Sequence, residues 1–470
     1  GLSLAEKGPY VARLIGVREA SSRAAASFLE VGHSITGWPQ LASEITLGAA
    51  TVAAAVRRLG INGYLPSGRV RFDVEEILSS LAEIALDTQM VVDMASPPLL
   101  DPPIEGADSV ATIVDAARRA PSGGNMQPWR FEADDEEVRI YLVPERTGIW
   151  DVRHRGSYVA IGAALFNARV AAAALKQLGP VQLFPEGRPT DHVATLHLGQ
   201  SMDADIARLM PYVHTRSTNR KPGEPVALER STVELLSRTV ECEGAKLLVV
   251  GDRSRLEEGA DLLAEADRLR YLIPEVHQHM LEELRWPGHD QLDEGLDVRT
   301  LELGAGGLAV IDLLSRKDVM GHLAEWRVGQ ALGLPTKLAV ESSSALAAIV
   351  VPRADPTWYV RAGSALECFW LNAEHLGLAV HPMVPLTLYA TNEIDLLEIG
   401  GNRYLDEMVR LADRLREYWE LADGETAVMV MRVFHSPPPS VRSSRLALDE
   451  VFSRDSDSGL AHIRTAILND

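Results

Sequence analysis

The chain has 470 residues, 46% apolar and 24% charged, enough for two or three domains that each bury a core. Its 46 basic and 66 acidic residues leave a formal charge of -20 with no Lys/Arg run to offset it, which argues against nucleic acid and anionic membranes as partners. Two distant cysteines, Cys242 and Cys368, outside any ligand spacing, point to neither a disulfide framework nor a zinc site and suit a reducing cytoplasm; no signal peptide or 18-residue apolar run is visible.

Residues 1–95 read as a helical segment, with an Ala-rich run ASEITLGAATVAAAVRRLG that keeps small residues on one face. The segment has no Gly-rich phosphate loop and no catalytic cluster. Its pieces EKGPYVARL and QLASEITLG resemble the closing part of a ThiF- or E1-like adenylating domain. The nucleotide-binding strand and glycine turn that open such a domain are not in this chain, so the resemblance implies a remnant used for packing or dimerisation, without ATP binding. Residues 96–107, with Pro97, Pro98, Pro102 and Pro103, read as an extended linker.

The helical run SVATIVDAARRA then stops at Pro121, and the stretch APSGGNMQPWRF follows. Gly123 and Gly124 let backbone approach something flat, while Ser122, Asn125 and Gln127 supply donors and acceptors for the edge of a heterocycle. Trp129 and Phe131 suit the core. The stretch resembles the flavin-contacting P-S-x-x-N-x-Q-P-W segment of the nitroreductase superfamily, every letter of which is present. That resemblance implies contacts to FMN from Pro121, Ser122, Gly123, Asn125 and Gln127.

Short strand patterns VRIYLV, VATLHLG, AKLLVVG, ALAAIVV and TAVMVMRVF alternate with long helical ones. An internal repeat runs through them: Tyr158, Val159, Gly162, Ala164 and Leu165 recur as Tyr359, Val360, Gly363, Ala365 and Leu366, at an offset of 201 residues. Nitroreductases are intertwined homodimers with flavin at the subunit interface. The resemblance therefore implies an α+β fold, a mainly antiparallel mixed sheet flanked by helices, duplicated within one chain as a pseudo-dimer. Its halves are expected at residues 108–205 and 206–452, before a tail at 453–470.

His214–Lys221, HTRSTNRK, gathers basic side chains with hydroxyls and an amide, a combination suited to an anion. RSTNR resembles the Arg-rich opening of a nitroreductase subunit, and PSVRSSRLALDEV resembles its terminal basic contacts, with Ser443 where the family carries lysine. The resemblance implies that Arg216, Ser217, Asn219, Arg220, Arg442 and Arg445 hold the FMN phosphate, while the first half, with EGADSV at the matching place, has lost its own opening. One composite flavin site per chain follows, with NAD(P)H as hydride donor and no side chain as the catalyst.

The combination is similar to the internally duplicated, Acg-like branch, in which a lid can cover the flavin; Tyr271–Thr300 is the expected lid or substrate loop. Two further readings stay open: a non-catalytic flavin-holding protein with a lidded site, and a flavin-free partner of an adenylating enzyme. His277, His279 and His289 read as surface histidines without metal-ligand spacing, and GAGG at 304–307 reads as a turn. The acidic surface and N-terminal helices suit a homodimer.

Overall fold

The computed structural model describes residues 4–454 except 17–19, 38–41, 63, 69–101, 103, 105 and 188, so most of the linker and the tail lie outside the described residues. The chain forms two compact units, Gly1–Ser96 with Leu303–Ala331, and Pro97–Glu302 with Leu332–Asp470.

In the first unit, helices α1 (Leu4–Ile15) and α2 (Ser22–Glu30) pack against helices Gly304–Leu314 and Lys317–Trp326 respectively, and α3 (Ala42–Asn62) follows. Arg316 Nη1 donates to the Ala20 carbonyl at 2.8 Å, and Gly329 N donates to the buried Glu30 carboxylate at 3.0 Å. Two expectations are corrected here. Residues 303–331, placed in the second half by sequence, cluster with the N-terminal helices, and GAGG starts a helix instead of a turn. Pairing between segments so distant in sequence leaves no local pattern to read.

The second unit carries the duplicated fold. Its first half runs α4 (Ser109–Arg118), β1 (Trp129–Ala133), β2 (Glu137–Leu142), α5 (Arg155–Ala174), β3 (Leu178–Leu183) and β4 (His192–Leu198). Its second half runs α6 (Arg230–Cys242), β5 (Lys246–Val250), β6 (Ala345–Val351), α7 (Pro356–His375), β7 (Ala379–Pro382) and β8 (Thr426–Phe434). The first sheet is ordered β1-β2-β4-β3 and the second β5-β6-β8-β7, all antiparallel, so one strand order occurs twice. Strand β9 (Phe452–Arg454) then returns to the first half and adds to β1 in parallel, which takes residues 453 and 454 out of the expected tail.

Burial explains the strand patterns. EVRIYL alternates because one face of β2 is covered, whereas every residue of ALAAIVV in β6 is buried. Helices α5 and α7 are buried along almost their whole length and lie against each other. A Cβ on Gly162 would overlap the Val360 carbonyl oxygen, and a Cβ on Gly363 would overlap the Val159 carbonyl oxygen. Each contact maps onto the other by the 201-residue offset, the reciprocity of a two-fold interface. Helix α5 has the length and apolar composition of a membrane span, yet it is the core helix of this unit.

Candidate functional site

Helix α4 starts at Asp108, whose carboxylate accepts from Ala111 N at 2.9 Å, and Pro121 closes off its end. The next residues form a tight turn. Gly124, Asn125 and Gln127 adopt φ values of 57°, 56° and 50°, a region that costs non-glycine residues energy and persists where surroundings fix it. Gln127 N donates to Ser122 Oγ at 3.0 Å, holding the turn from inside, while Trp129 and Phe131 enter the core.

The second half supplies what surrounds the turn. Asn125 Nδ2 donates to the Ser444 carbonyl at 3.2 Å, and Leu446 N donates to Gln127 Oε1 at 3.0 Å. Arg445 Nη2 donates to the carbonyls of Ala120 and Arg119, at 3.1 and 3.3 Å, and Arg216 Nη2 donates to that of Arg119 at 2.7 Å. Both guanidinium groups thus meet the negative end of α4, immediately before Pro121.

Arg216 is buried. Its Nε lies 3.1 Å from Glu367 Oε1 on α7, and its guanidinium lies 4.7 Å from the Trp370 ring centre. Glu367 is fully buried; burial pushes its carboxyl up, against the pull of Arg216 and Arg445.

The remaining expected residues separate into two groups. Asn219 Nδ2 donates to the Pro437 carbonyl at 2.8 Å while its Oδ1 accepts from Lys221 N, and Arg220 Nη1 donates to the Thr300 carbonyl at 3.1 Å. These two brace backbone in the described structure. Ser217 is half-buried and Arg442 is exposed, its Nη1 3.3 Å from the His214 carbonyl. Pro121 and Ser122 are half-buried and Gly123 is exposed, so the outer rim of the turn is accessible.

Sequence reasoning missed two residues. Glu367 is one, and Arg432 on β8 is the other. Fully buried, Arg432 donates to the carbonyls of Lys221 and Ala339 at 2.8 and 3.1 Å and to His381 Nδ1 at 3.0 Å. Burial, then the Arg220 charge, lowers its guanidinium to about 9; burial lowers Arg220 to about 10 and His381 well below its ordinary range. An arginine inside TAVMVMRVF was the available signal.

Part of Tyr271–Thr300 lies on the turn. The Asp293 carbonyl accepts from Gln127 Nε2 at 2.8 Å and Asn125 Nδ2 at 3.4 Å, and Gly295 N donates to the Asn125 carbonyl at 3.4 Å. A Cβ on Gly124 would stand 2.7 Å from the Glu283 carboxyl carbon, so the turn is shaped to admit that carboxylate. Short strands Leu284–Arg285 and Leu296–Asp297 pair at the base of the loop. His279 Nδ1 lies 3.3 Å from Glu283 Oε1, which raises the imidazole pKa; His277 is buried, and desolvation lowers its own.

Residues 101–178 match the Nitroreductase family model, a range that contains the turn and all of α5. An uncharacterised Mycobacterium tuberculosis protein, MT1398, is 43% identical over 449 residues, 95% of this chain and 62% of its own length, so the chain spans under two thirds of that relative. Another M. tuberculosis protein, acg, which carries the name of an NAD(P)H nitroreductase, is 26% identical over 368 residues, 73% of this chain and 95% of its own. Among solved structures, the FMN-dependent nitroreductase NfnB from Mycobacterium smegmatis, in complex with NADPH, is 16% identical with a TM-score of 0.31, covering 52% of this chain and 97% of that one. The duplicated α+β fold, with the matched segment inside its first half, is a nitroreductase-like fold.

Proposed function

We propose that the chain is an FMN-binding, NAD(P)H-dependent oxidoreductase of nitroreductase type. One observation carries the reading: the turn at 121–127, the Arg216 segment and the 442–446 segment, far apart in sequence and drawn from two halves, meet at the end of α4. The match of residues 101–178 and the naming of relatives as NAD(P)H nitroreductases support the same class.

The donor set fits the cofactor. Two side-chain amides, from Asn125 and Gln127, aim at one carbonyl oxygen, the arrangement a ring carbonyl takes. Ser217 and Arg442, half-buried and exposed, are the groups for the phosphate, while Arg216 and Arg445 fix the turn to the second half. FMN held there would supply the redox chemistry, hydride transfer from NAD(P)H to a small-molecule acceptor. The protein orients the ring, places amide donors at its edge and, through the loop around Asp293, governs access.

That loop favours a second reading. The loop closes on the turn through the Asp293 carbonyl, and if it closes again over a flavin that has displaced it, the chain holds the cofactor without turning it over. The absorption spectrum of the purified chain tests both: a flavin spectrum bleached by NADH or NADPH supports the oxidoreductase, and one that resists bleaching supports the holder. A chain that takes up no FMN would overturn both.

A further inference from the structure

In the first unit, helix α2 and the helix Lys317–Trp326 bring a hydroxyl, an imidazole and a carboxylate into one row. Ser22 Oγ, at the first residue of α2, lies 2.5 Å from His322 Nε2, and His322 Nδ1 lies 3.4 Å from Glu325 Oε2. The imidazole stacks on the Trp326 ring, with 5.5 Å between centres and 18° between planes, so one face of it is held. A carboxylate at Nδ1 keeps the ring proton there and leaves Nε2 to accept from the Ser22 hydroxyl. The backbone around Ser22 adds donors. Ser21 caps α2: its Oγ accepts from Ala24 N at 3.2 Å and its carbonyl accepts from Ala25 N at 2.9 Å. The amides of Ser22 and Arg23 precede that first intrahelical bond and have no acceptor within the helix. They stand at the positive end of α2, where a developing oxyanion is stabilised.

We infer that Ser22 is the nucleophile of a second site, independent of flavin, which hydrolyses small acyl esters. The Ser22 oxygen attacks the ester carbonyl carbon while its proton passes to His322 Nε2, and the carbonyl oxygen gathers negative charge against the Ser22 and Arg23 amides. The bond to the alcohol oxygen then breaks, the alcohol leaves with the proton from His322, and the acyl group stays on Ser22. Water repeats the sequence, releasing the acid and restoring the serine. Trp326, 37% exposed beside the imidazole, offers an apolar surface to the acyl or alcohol group. Glu325 acts through the imidazole and is a positioning residue. Its side chain is 63% exposed, so water screens its pull, and losing it costs roughly a few-fold in rate against about 100-fold or more for His322. The sequence of residues 1–95 carries no such cluster because His322 and Glu325 arrive from residues 303–331.

A fluorophosphonate, which phosphonylates activated serines with loss of fluoride, tests the nucleophile when its label on the 470-residue chain is mapped by peptide mass. Label is expected on Ser22 of the folded chain and not on the chain unfolded in urea. His322→Ala should slow that labelling by at least about 100-fold. With p-nitrophenyl acetate, the chain should release a burst of about one nitrophenolate per chain, which Ser22→Ala abolishes. Nitrogen-15 NMR of the unsubstituted chain should show His322 protonated at Nδ1, and Glu325→Gln should move that proton towards Nε2. A folded chain without label on Ser22 would overturn the inference, and so would equal labelling after unfolding or in His322→Ala. A His322 protonated at Nε2 in the unsubstituted chain would overturn it as well, because Ser22 would then accept from the ring instead of donating to it.

Discussion

Arg216 touches three groups at once: the Arg119 carbonyl, the Glu367 carboxylate and the face of Trp370. A guanidinium so enclosed holds protein together before it holds a ligand. Removing one partner of a buried ion pair strands the other charge, at a cost of about 3–5 kcal/mol. Arg216→Ala is therefore expected to lower the unfolding midpoint in denaturant sharply, and adding Glu367→Gln should recover part of the loss. Arg442 is exposed, with a hydrogen bond to the His214 carbonyl at 3.3 Å, so Arg442→Ala should leave that midpoint nearly unchanged while weakening FMN retention, measured by flavin released on gel filtration. Equal loss of stability in the two variants would refute this division of roles. The RSTNR pattern announced a cationic site, but it gave no sign that Arg216 faces inward, because Glu367 looks like any helical glutamate until its helix is found buried on every side.

At the scale of elements, the crossing of α5 and α7 makes a paired prediction. An alanine at Gly162 or Gly363 meets a backbone carbonyl from the other helix, which no rotamer change relieves. Overpacking typically costs about 1–3 kcal/mol; with backbone as the obstacle, each substitution should reach the top of that range or exceed it, by similar amounts at the two sites. Gly321→Ala is the control: it lies on the exposed face of helix Lys317–Trp326, with open space around it, and should be neutral or stabilising by up to about 1 kcal/mol. Thermal unfolding of the three variants decides it, and an unequal response at Gly162 and Gly363 would undo the symmetric description. This element was legible because small residues at helical spacing recur at one fixed offset. Strands β2, β4, β5, β6 and β8 were legible from their apolar runs. Strands β3 and β9 were not: β3 is largely exposed and contains Gly179 and Pro180, and β9 has three residues and exists only by pairing with β1.

Over the whole second unit, the two halves have diverged in a complementary way. Between α4 and β1 the first half carries the turn at 121–127, whereas between α6 and β5 the second half has only Glu243–Ala245. Between β1 and β2 the first half has a tight turn at Asp134–Glu136, whereas between β5 and β6 the second half inserts residues 251–344. One half thus supplies the floor of the site and the other its cover, which touches the floor through Asp293, Gly295 and Glu283. On the proposed reading a flavin ring at Asn125 and Gln127 would have to displace that cover, and His279 and Glu283 form an ion pair at its edge. Glu283 raises the His279 pKa above the ordinary 6.5, so the protonated imidazole is favoured in the folded chain. The stabilisation is complete below the unfolded-state value and is lost as pH rises through the higher folded one. Going from about pH 6 to about pH 8 should therefore loosen the cover. Limited proteolysis at the exposed Gly288–Gln291 stretch, normalised to the denatured chain at each pH, should speed up across that window. Glu283→Gln, which keeps the side-chain shape and removes the charge, should cut at the faster rate at both pH values. Equal protection of the unsubstituted chain at both pH values would mean that the cover is held by the Asp293 and Gly295 backbone contacts alone, with the ion pair contributing nothing to its closure.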